Sequence, residues 1–492
     1  MIMKQSGVFI LLITVMLLNL SCGELAETNT NEVTTESYSA VTETTDPISS
    51  ALPERDFDGY EFKILTTDEV GSVRYSYEID SEEMNGEAMN DAVFERNQLV
   101  EDEFNVIITQ IPYDKSSFSQ AFKNSVLAAD EAYDIYVDTY EKIMQSGYEY
   151  GLEVSKLPYV DLSKSWWDSD VIAESALGGK TYGLLGDINV IDNQATYCLF
   201  FNKDLASEYN TGDIYDIVRS GNWTIDEMNR CCKLVANDIN GDSVMDYNDQ
   251  WGMLASGNIA ITFMWSCGGM LGKINSIGEV DFTLDNEKNI NALNKSYDFF
   301  AQRDVVLDAN SIPAIESIGT NWDVQRSIFN NGRALFLGTT IQGVDFFRDM
   351  EDEFGIIPLP KYDSTQDEYI ATAQEWMATM FMAPRSASNP ERTSIILEAM
   401  ASSAQSKITP VYYDSVLRRK LTRDNESSEM LDIIYDSRVF DIVYAYNWGK
   451  IKNLSSVILQ DTNKISSTIA SMKNTIIAAY EKTLESVINS EA

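Results

Sequence analysis

Between Tyr60 and Tyr140 the apolar positions change period repeatedly. "YEFKILTTDE" is rich in β-forming residues and ends in polar ones, which predicts a strand. Met89, Val93, Arg96, Val100 and Phe104 then recur at helical spacing over about four turns. "NVIITQI" predicts a second strand. "SSFSQAFKNSVLAAD" sets Phe118, Phe122 and Val126 on one helical face, and "YDIYVDTY" predicts a third strand. Strand, helix, strand, helix, strand in this order is the pattern of a parallel sheet with crossover helices. Ligands of open α/β sheets sit at the carboxyl ends of the strands. Asp68 and Asp138 with Tyr140 end the first and third strands and are the first binding candidates.

"ALGGKTYGLLGD" predicts a two-strand hairpin turning at Gly178–Gly179. It is not a phosphate loop, because Glu174 stands where a Walker motif needs glycine. A second α/β run starts near Asn193. "ATYCLFFNKDLA" predicts an apolar strand. "GNWTIDEMNRCCKLVAND" predicts a helix with Ile225, Met228, Cys232 and Val235 on one face and a Thr224/Glu227 capping box. Further helices are expected over Ile290–Arg303, Trp322–Asn330, Pro390–Ser403 and Lys464–Ser486.

Charge and composition narrow the function. The chain has 492 residues, enough for two or three domains. Its 36 basic and 77 acidic residues give a net charge of −41, a surface that repels nucleic acid. Histidine is absent, which removes Ser-His-Asp and Cys-His catalysis and histidine metal sites. Cys198, Cys231, Cys232 and Cys267 show no zinc or CxxC spacing and read as buried thiols. Near the start, Lys4 precedes an apolar run from Val8 to Leu18, too short to span a bilayer comfortably and similar to a signal segment. "LLNLSCGE" follows and resembles a lipobox, with Cys22 the lipidated residue, although Asn19 stands where leucine is usual. An ordinary cleaved signal is the other reading. Residues 23–53 are rich in Thr and Glu without Lys or Arg, as a disordered tether would be.

"DINGDSVMDYNDQWG" carries the ligand spacing of a calcium loop. Asp238, Asn240, Asp242 and Asp249 hold positions one, three, five and twelve, Val244 offers its carbonyl at seven, and Asp246 stands at nine. Ser243 replaces the usual glycine, and position twelve is Asp where Glu is usual. Two readings follow: a structural calcium site, or a metal-free loop held by Asx turns. No other cofactor is expected.

Six stretches in order then point to one family: "EFKILTTDE…VFERNQLVEDEFNVIITQ", "YDIYVDTYEKIMQSGYEYGLEVSKL", "GGKTYGLLGDINVIDNQATYCLFFNKDLA", "NWTIDEMNRCCKLV", "VQRSIFNNGRALFLGTTIQ" and "FGIIPLPKYD". Together they resemble the family 1 extracellular solute-binding proteins of bacterial ABC importers, the maltose-binding-protein-like carbohydrate type. The resemblance runs from about Glu61 to the C-terminal helices. It implies two α/β lobes, a periplasmic-binding-protein-like fold, with multiple hinge crossings and a ligand cleft between the lobes. The projected partition is lobe one over 54–190 and 320–370 and lobe two over 191–319 and 371–492. Crossings are projected near Asp192, Gly319 and Ala371.

By position, the resemblance implies a cleft lined by Asp68, Asp138, Tyr140, Asp192, Asn193, Thr339, Thr340 and Gln342. Lobe two would add Asn258, Trp265, Trp376 and Trp448. Tryptophan offers a flat apolar surface to the C–H face of a pyranose, and Asp, Asn, Gln and Thr serve its hydroxyl rim. Trp376 is favoured because it stands beside a crossing; Trp251 and the Trp166–Trp167 pair read as core or loop anchors. The calcium loop falls outside this cleft. The implied function is capture of a sugar, an oligosaccharide by preference, for an ABC permease. The protein would be a monomer on a lipid anchor at the extracellular face of the bacterial cell membrane, without catalysis. The alternatives are a secreted glycosidase using two carboxylates and a binder of peptides or other solutes.

Overall fold

Met89, Val93, Arg96, Val100 and Phe104, the face expected from helical spacing, are all at most 4% exposed on the helix Ala88–Phe104. Arg96 is fully buried there, and its guanidinium donates to Asn97 Oδ1 at 2.6 Å and the Ile79 carbonyl at 3.2 Å. These bonds offset the cost of placing a cation on an apolar face. The helix ends at Asn105, whose positive φ of 48° suits the left-handed C-cap.

The computed structural model describes residues 48, 51–67, 79–255, 259–347, 349–418, 425–458 and 462–490. Its described elements lie in one compact unit, Asp46–Ala492. The strands are β1 Tyr60–Thr67, β2 Val106–Tyr113, β3 Ile135–Thr139, β4 Tyr197–Asn202, β5 Trp251–Ala255, β6 Gly272–Ile274, β7 Val280–Phe282, β8 Val306–Asp308, β9 Ala334–Thr340, β10 Phe354–Ile357, β11 Ala371–Thr372, β12 Thr379–Met382 and β13 Arg438–Val439. One sheet runs β12-β3-β1-β2, with β1 parallel to β2 and β3 and β12 antiparallel to β3. The other runs β10-β4-β9-β5-β8, mixing parallel and antiparallel pairs. Two short ribbons, β11-β13 and β6-β7, complete the pairing. The expected strand–helix–strand order builds the first sheet, and the whole is the two-lobed α/β arrangement.

Strand pairing corrects the projected partition. β9 and β10 fall within 320–370, yet they pair with β4 and β5 in the second sheet. β12 falls within 371–492, yet it extends the first sheet beside β3. Gly319 therefore joins two strands of one sheet, β8 and β9, and is not a crossing. The chain does pass between the sheets around Asp192, before β4, and around Ala371, between β10 and β12.

Local chemistry corrects other expectations. Gly178 and Gly179 sit in a short 3-10 turn at φ 62° and 72°, not in a hairpin, and Leu184 instead bridges Phe381 of β12. Thr224 caps the helix Ile225–Val235 by accepting from Glu227 N at 3.2 Å. The Glu227 carboxylate turns to Arg230 and leaves the reciprocal half of the capping box unmade. The helix beginning at Pro390 continues to Arg418, well past Ser403. All four described cysteines are buried free thiols. Among the described residues no helix is long and apolar enough to cross a membrane.

Candidate ligand-binding cleft

The segment between β11 and β12 is pinned to both sheets by its backbone. Gln374 N donates to the Ala195 carbonyl at 2.9 Å, just before β4. The helix Tyr140–Tyr150 follows β3, and its first N–H groups have no partner within the helix. Tyr140 N and Glu141 N donate to the carbonyls of Ala378 at 2.7 Å and Glu375 at 2.9 Å. These bonds set Glu375 and Trp376 at the edge of a cavity of about 320 Å³.

Four other elements close that cavity. The helix Ile259–Ser266 is buried on every side and presents Ile261, Thr262 and Trp265. Tyr197 opens β4, Tyr444 comes from the helix Ile442–Tyr446, and Lys452 comes from the 3-10 turn Trp448–Asn453. Lys452 Nζ joins Glu141 Oε2 at 2.8 Å and Glu375 Oε1 at 2.6 Å. The same ammonium lies 5.1 Å from the centre of the Tyr444 ring. Burial raises the pKa of Glu375, and the Lys452 charge opposes that rise.

The indole of Trp265 is locked in place. It meets the Tyr444 ring edge-on at 5.0 Å and donates Nε1–H to Asp441 Oδ2 at 3.0 Å. Asp441 is the cap of the Ile442–Tyr446 helix and also accepts from Leu271 N, Val443 N and Tyr444 N. Burial pushes its pKa up to about 6 against the pull of these donors. Trp376 is 40% exposed, unusual for so large an apolar surface.

Of the expected binding residues, Trp265 and Trp376 line this cavity. Asp68 and Asn258 lie outside the described residues. Asp138 is buried at the end of β3, accepting from the Tyr136 hydroxyl and, at 2.7 Å, from Thr139 N. Tyr140 is fully buried against the Phe440 ring at 4.6 Å, and its hydroxyl has no hydrogen-bond partner among the described residues. Asp192 and Asn193 face Arg438, whose Nη1 lies 3.0 Å from Asp192 Oδ2 and from Asn193 Oδ1. Thr339 and Thr340 pair along β9 with Cys198 and Tyr197, and Gln342 is half-buried just beyond. Trp448 packs behind the cavity: it stacks on Tyr446 at 4.6 Å and donates to Thr483 Oγ1 at 3.0 Å, holding the C-terminal helix Ile465–Asn489. The lining residues that sequence reading missed are Glu141, Tyr197, Ile261, Thr262, Glu375, Tyr444 and Lys452. Glu375 alone carried a signal, as the acidic neighbour of Trp376.

The loop 238–249 stands apart. Asp238, Asn240, Asp242 and Asp246 accept backbone N–H groups of the loop itself at 2.7–2.8 Å. Asp249 is fully buried and accepts from Ile239 N and Asp246 N. Val244 is exposed at the tip. Trp251 and Arg333 tie the loop down by donating to the carbonyls of Asp246 and Tyr247, each at 2.9 Å. Among the described residues no group of three or more His, Cys, Asp or Glu side chains is gathered as metal ligands. Trp166 and Trp167 both donate to Glu398 and, like Trp251, are anchors.

Two sheets, chain crossings between them and a cavity beside a crossing define the two-lobed binding-protein class of α/β folds. Solved structures of that class superpose on the chain. A cyclo/maltodextrin-binding protein complexed with maltotetraose matches with TM-score 0.55 at 12% identity, over 86% of this chain and 97% of that one. An ABC substrate-binding protein from Listeria monocytogenes in complex with cycloalternan matches with TM-score 0.50 at 16% identity, over 87% and 98%. An ABC transporter solute-binding protein from Agrobacterium radiobacter K84 in complex with ribitol matches with TM-score 0.50 at 12% identity, over 87% and 100%. At these identities the likeness is one of fold. No family model matches the chain, and no curated protein matches it.

Proposed function

We propose that this protein is the ligand-capturing component of an ABC importer, binding a saccharide in the cavity beside the crossing and performing no chemistry on it. The observation that carries this reading is the make-up of the cavity. Trp265, Trp376, Tyr197 and Tyr444 supply flat apolar surface, and Glu141, Glu375, Lys452 and Thr262 supply polar groups at its edges. A sugar asks for both. The fold neighbours bind maltotetraose, cycloalternan and ribitol, in keeping with this. The glycosidase alternative needs two carboxylates free to act on opposite sides of a bond. Here Glu141 and Glu375 are tied to one ammonium.

The rest of the reading follows from the sequence. Delivery to a membrane permease is the role such a capture protein serves. The lipobox-like "LLNLSCGE" supports a lipid anchor at Cys22 on the extracellular face of the membrane, with 23–53 as tether. The spacing of Asp238, Asn240, Asp242, Val244, Asp246 and Asp249 supports a structural calcium that braces the loop away from the cavity.

The test is a thermal-shift and calorimetry screen of residues 51–492 against mono- and oligosaccharides, with product analysis. A saccharide at a hundred times its dissociation constant adds about 2.7 kcal/mol of stability, and it is expected to be recovered intact. Stabilisation by peptides and by no saccharide would sink the sugar reading; release of shorter sugars would sink the claim of no chemistry.

A further inference from the structure

The cavity holds two carboxylates and one ammonium. Among the described residues, Lys452 is the sole basic residue of its lining, and it contacts one oxygen of Glu141 and one of Glu375. Both carboxylates are largely withdrawn from water, with side chains 16% and 12% exposed. With both carboxylates ionised, the described walls carry an excess of one negative charge where water screens it poorly. Lys452 also shows how this place treats a cation: two carboxylates flank it, and the face of Tyr444 lies 5.1 Å away. Trp265 and Trp376 add two more aromatic rings to the same space, and a protonated amine gains from ring faces as well as from carboxylates. A neutral sugar meets the rings but leaves the excess charge uncompensated. The net charge of −41 on the whole chain biases encounter the same way.

We infer that the preferred ligand is a saccharide bearing a protonated amine, an amino sugar or an oligomer of amino sugars, whose ammonium sits against Glu375 and Glu141 under the aromatic rings. This rests on the cavity being the saccharide site. It adds the charge of the ligand, which the fold neighbours do not supply.

The experiment compares matched pairs by calorimetry at pH 6 and low salt: glucose with glucosamine, galactose with galactosamine, mannose with mannosamine, and cellotriose with the β-1,4-linked glucosamine trimer. The members of each monosaccharide pair differ in one hydroxyl against one ammonium, and those of the trimer pair in three. The amine of at least one pair is expected to bind about tenfold or more tightly than its neutral partner. Glu375→Gln is expected to weaken the amine about tenfold more than its neutral partner, so that the preference shrinks toward unity. Circular dichroism confirms folding of the variant, and the parent comparison stands without it. Neutral members binding as tightly as their amines would overturn the inference and leave the saccharide reading intact. Binding by no member of any pair would overturn the inference, and the saccharide reading falls with it only if the wider saccharide screen is silent too.

Discussion

Trp376 combines the two traits of a ligand platform: a large flat ring, and 40% of its surface left open at the edge of a cavity. Trp376→Ala removes contact area without opening the core. It is expected to weaken saccharide binding about tenfold and to leave the melting temperature nearly unchanged; equal affinity in parent and variant would argue against stacking. Lys452 behaves differently. Lys452→Met leaves Glu141 and Glu375 largely desolvated and mutually repelling, and is expected to cost about 2 kcal/mol in chemical denaturation. These two residues were unequally legible. A tryptophan in a polar stretch between apolar strands stands out. Lys452 and Glu141 look like any of the chain's 36 basic and 77 acidic residues, and only the fold brings them together. Trp448 misled for the converse reason: its indole finds Tyr446 and Thr483 at its back and becomes packing.

The elements that join the sheets depend on one cation. β11 and β13 pair at the crossing, and Arg438 of β13 reaches Asp168 at 2.6 Å and Asp192 at 3.0 Å. Burial raises the pKa of Asp192, and the Arg438 charge holds it back. Arg438→Met strands that carboxylate at 2% exposure and is expected to destabilise by about 3 kcal/mol. Adding Asp192→Asn to Arg438→Met should recover part of the loss, and no recovery would show that the pair is not coupled. Periodicity made the first sheet legible, because each strand and helix buries its own face. It could not show that β9 inserts between β4 and β5, since register and neighbour choice are set by partners distant in the chain. That is why sequence alone projects 320–370 into lobe one, whereas β9 and β10 pair with β4 and β5. The 238–249 loop was legible as spacing but not as state. Calcium is expected to raise the melting temperature and a chelator to reverse this. Asp238→Asn with Asp242→Asn should abolish the calcium effect and spare saccharide affinity. A parent that ignores calcium would leave the Asx-turn loop as the whole account.

At the scale of the molecule, charge sets how stability responds to pH. Burial lifts Asp187 and Asp441 to about 6, so between their unfolded value of about 4 and that level the folded chain holds more protons than the unfolded one. Stability then falls as pH rises through this window. Self-repulsion of the acidic surface acts in the same direction. The protein is expected to melt higher at pH 5 than at pH 7.5 in calcium-free buffer, and the reverse order would show that other groups dominate. The backbone bonds of Gln374, Glu375 and Ala378 have a further consequence. Wall and joint are the same few residues there, so sequence drift in that segment disturbs the architecture as well as the ligand. Among the described residues, the Ile259–Ser266 helix makes no such backbone bond to either sheet. A lineage adapting this scaffold to a new solute has its open route through Ile261 and Thr262, while the Glu375–Trp376 pair changes last.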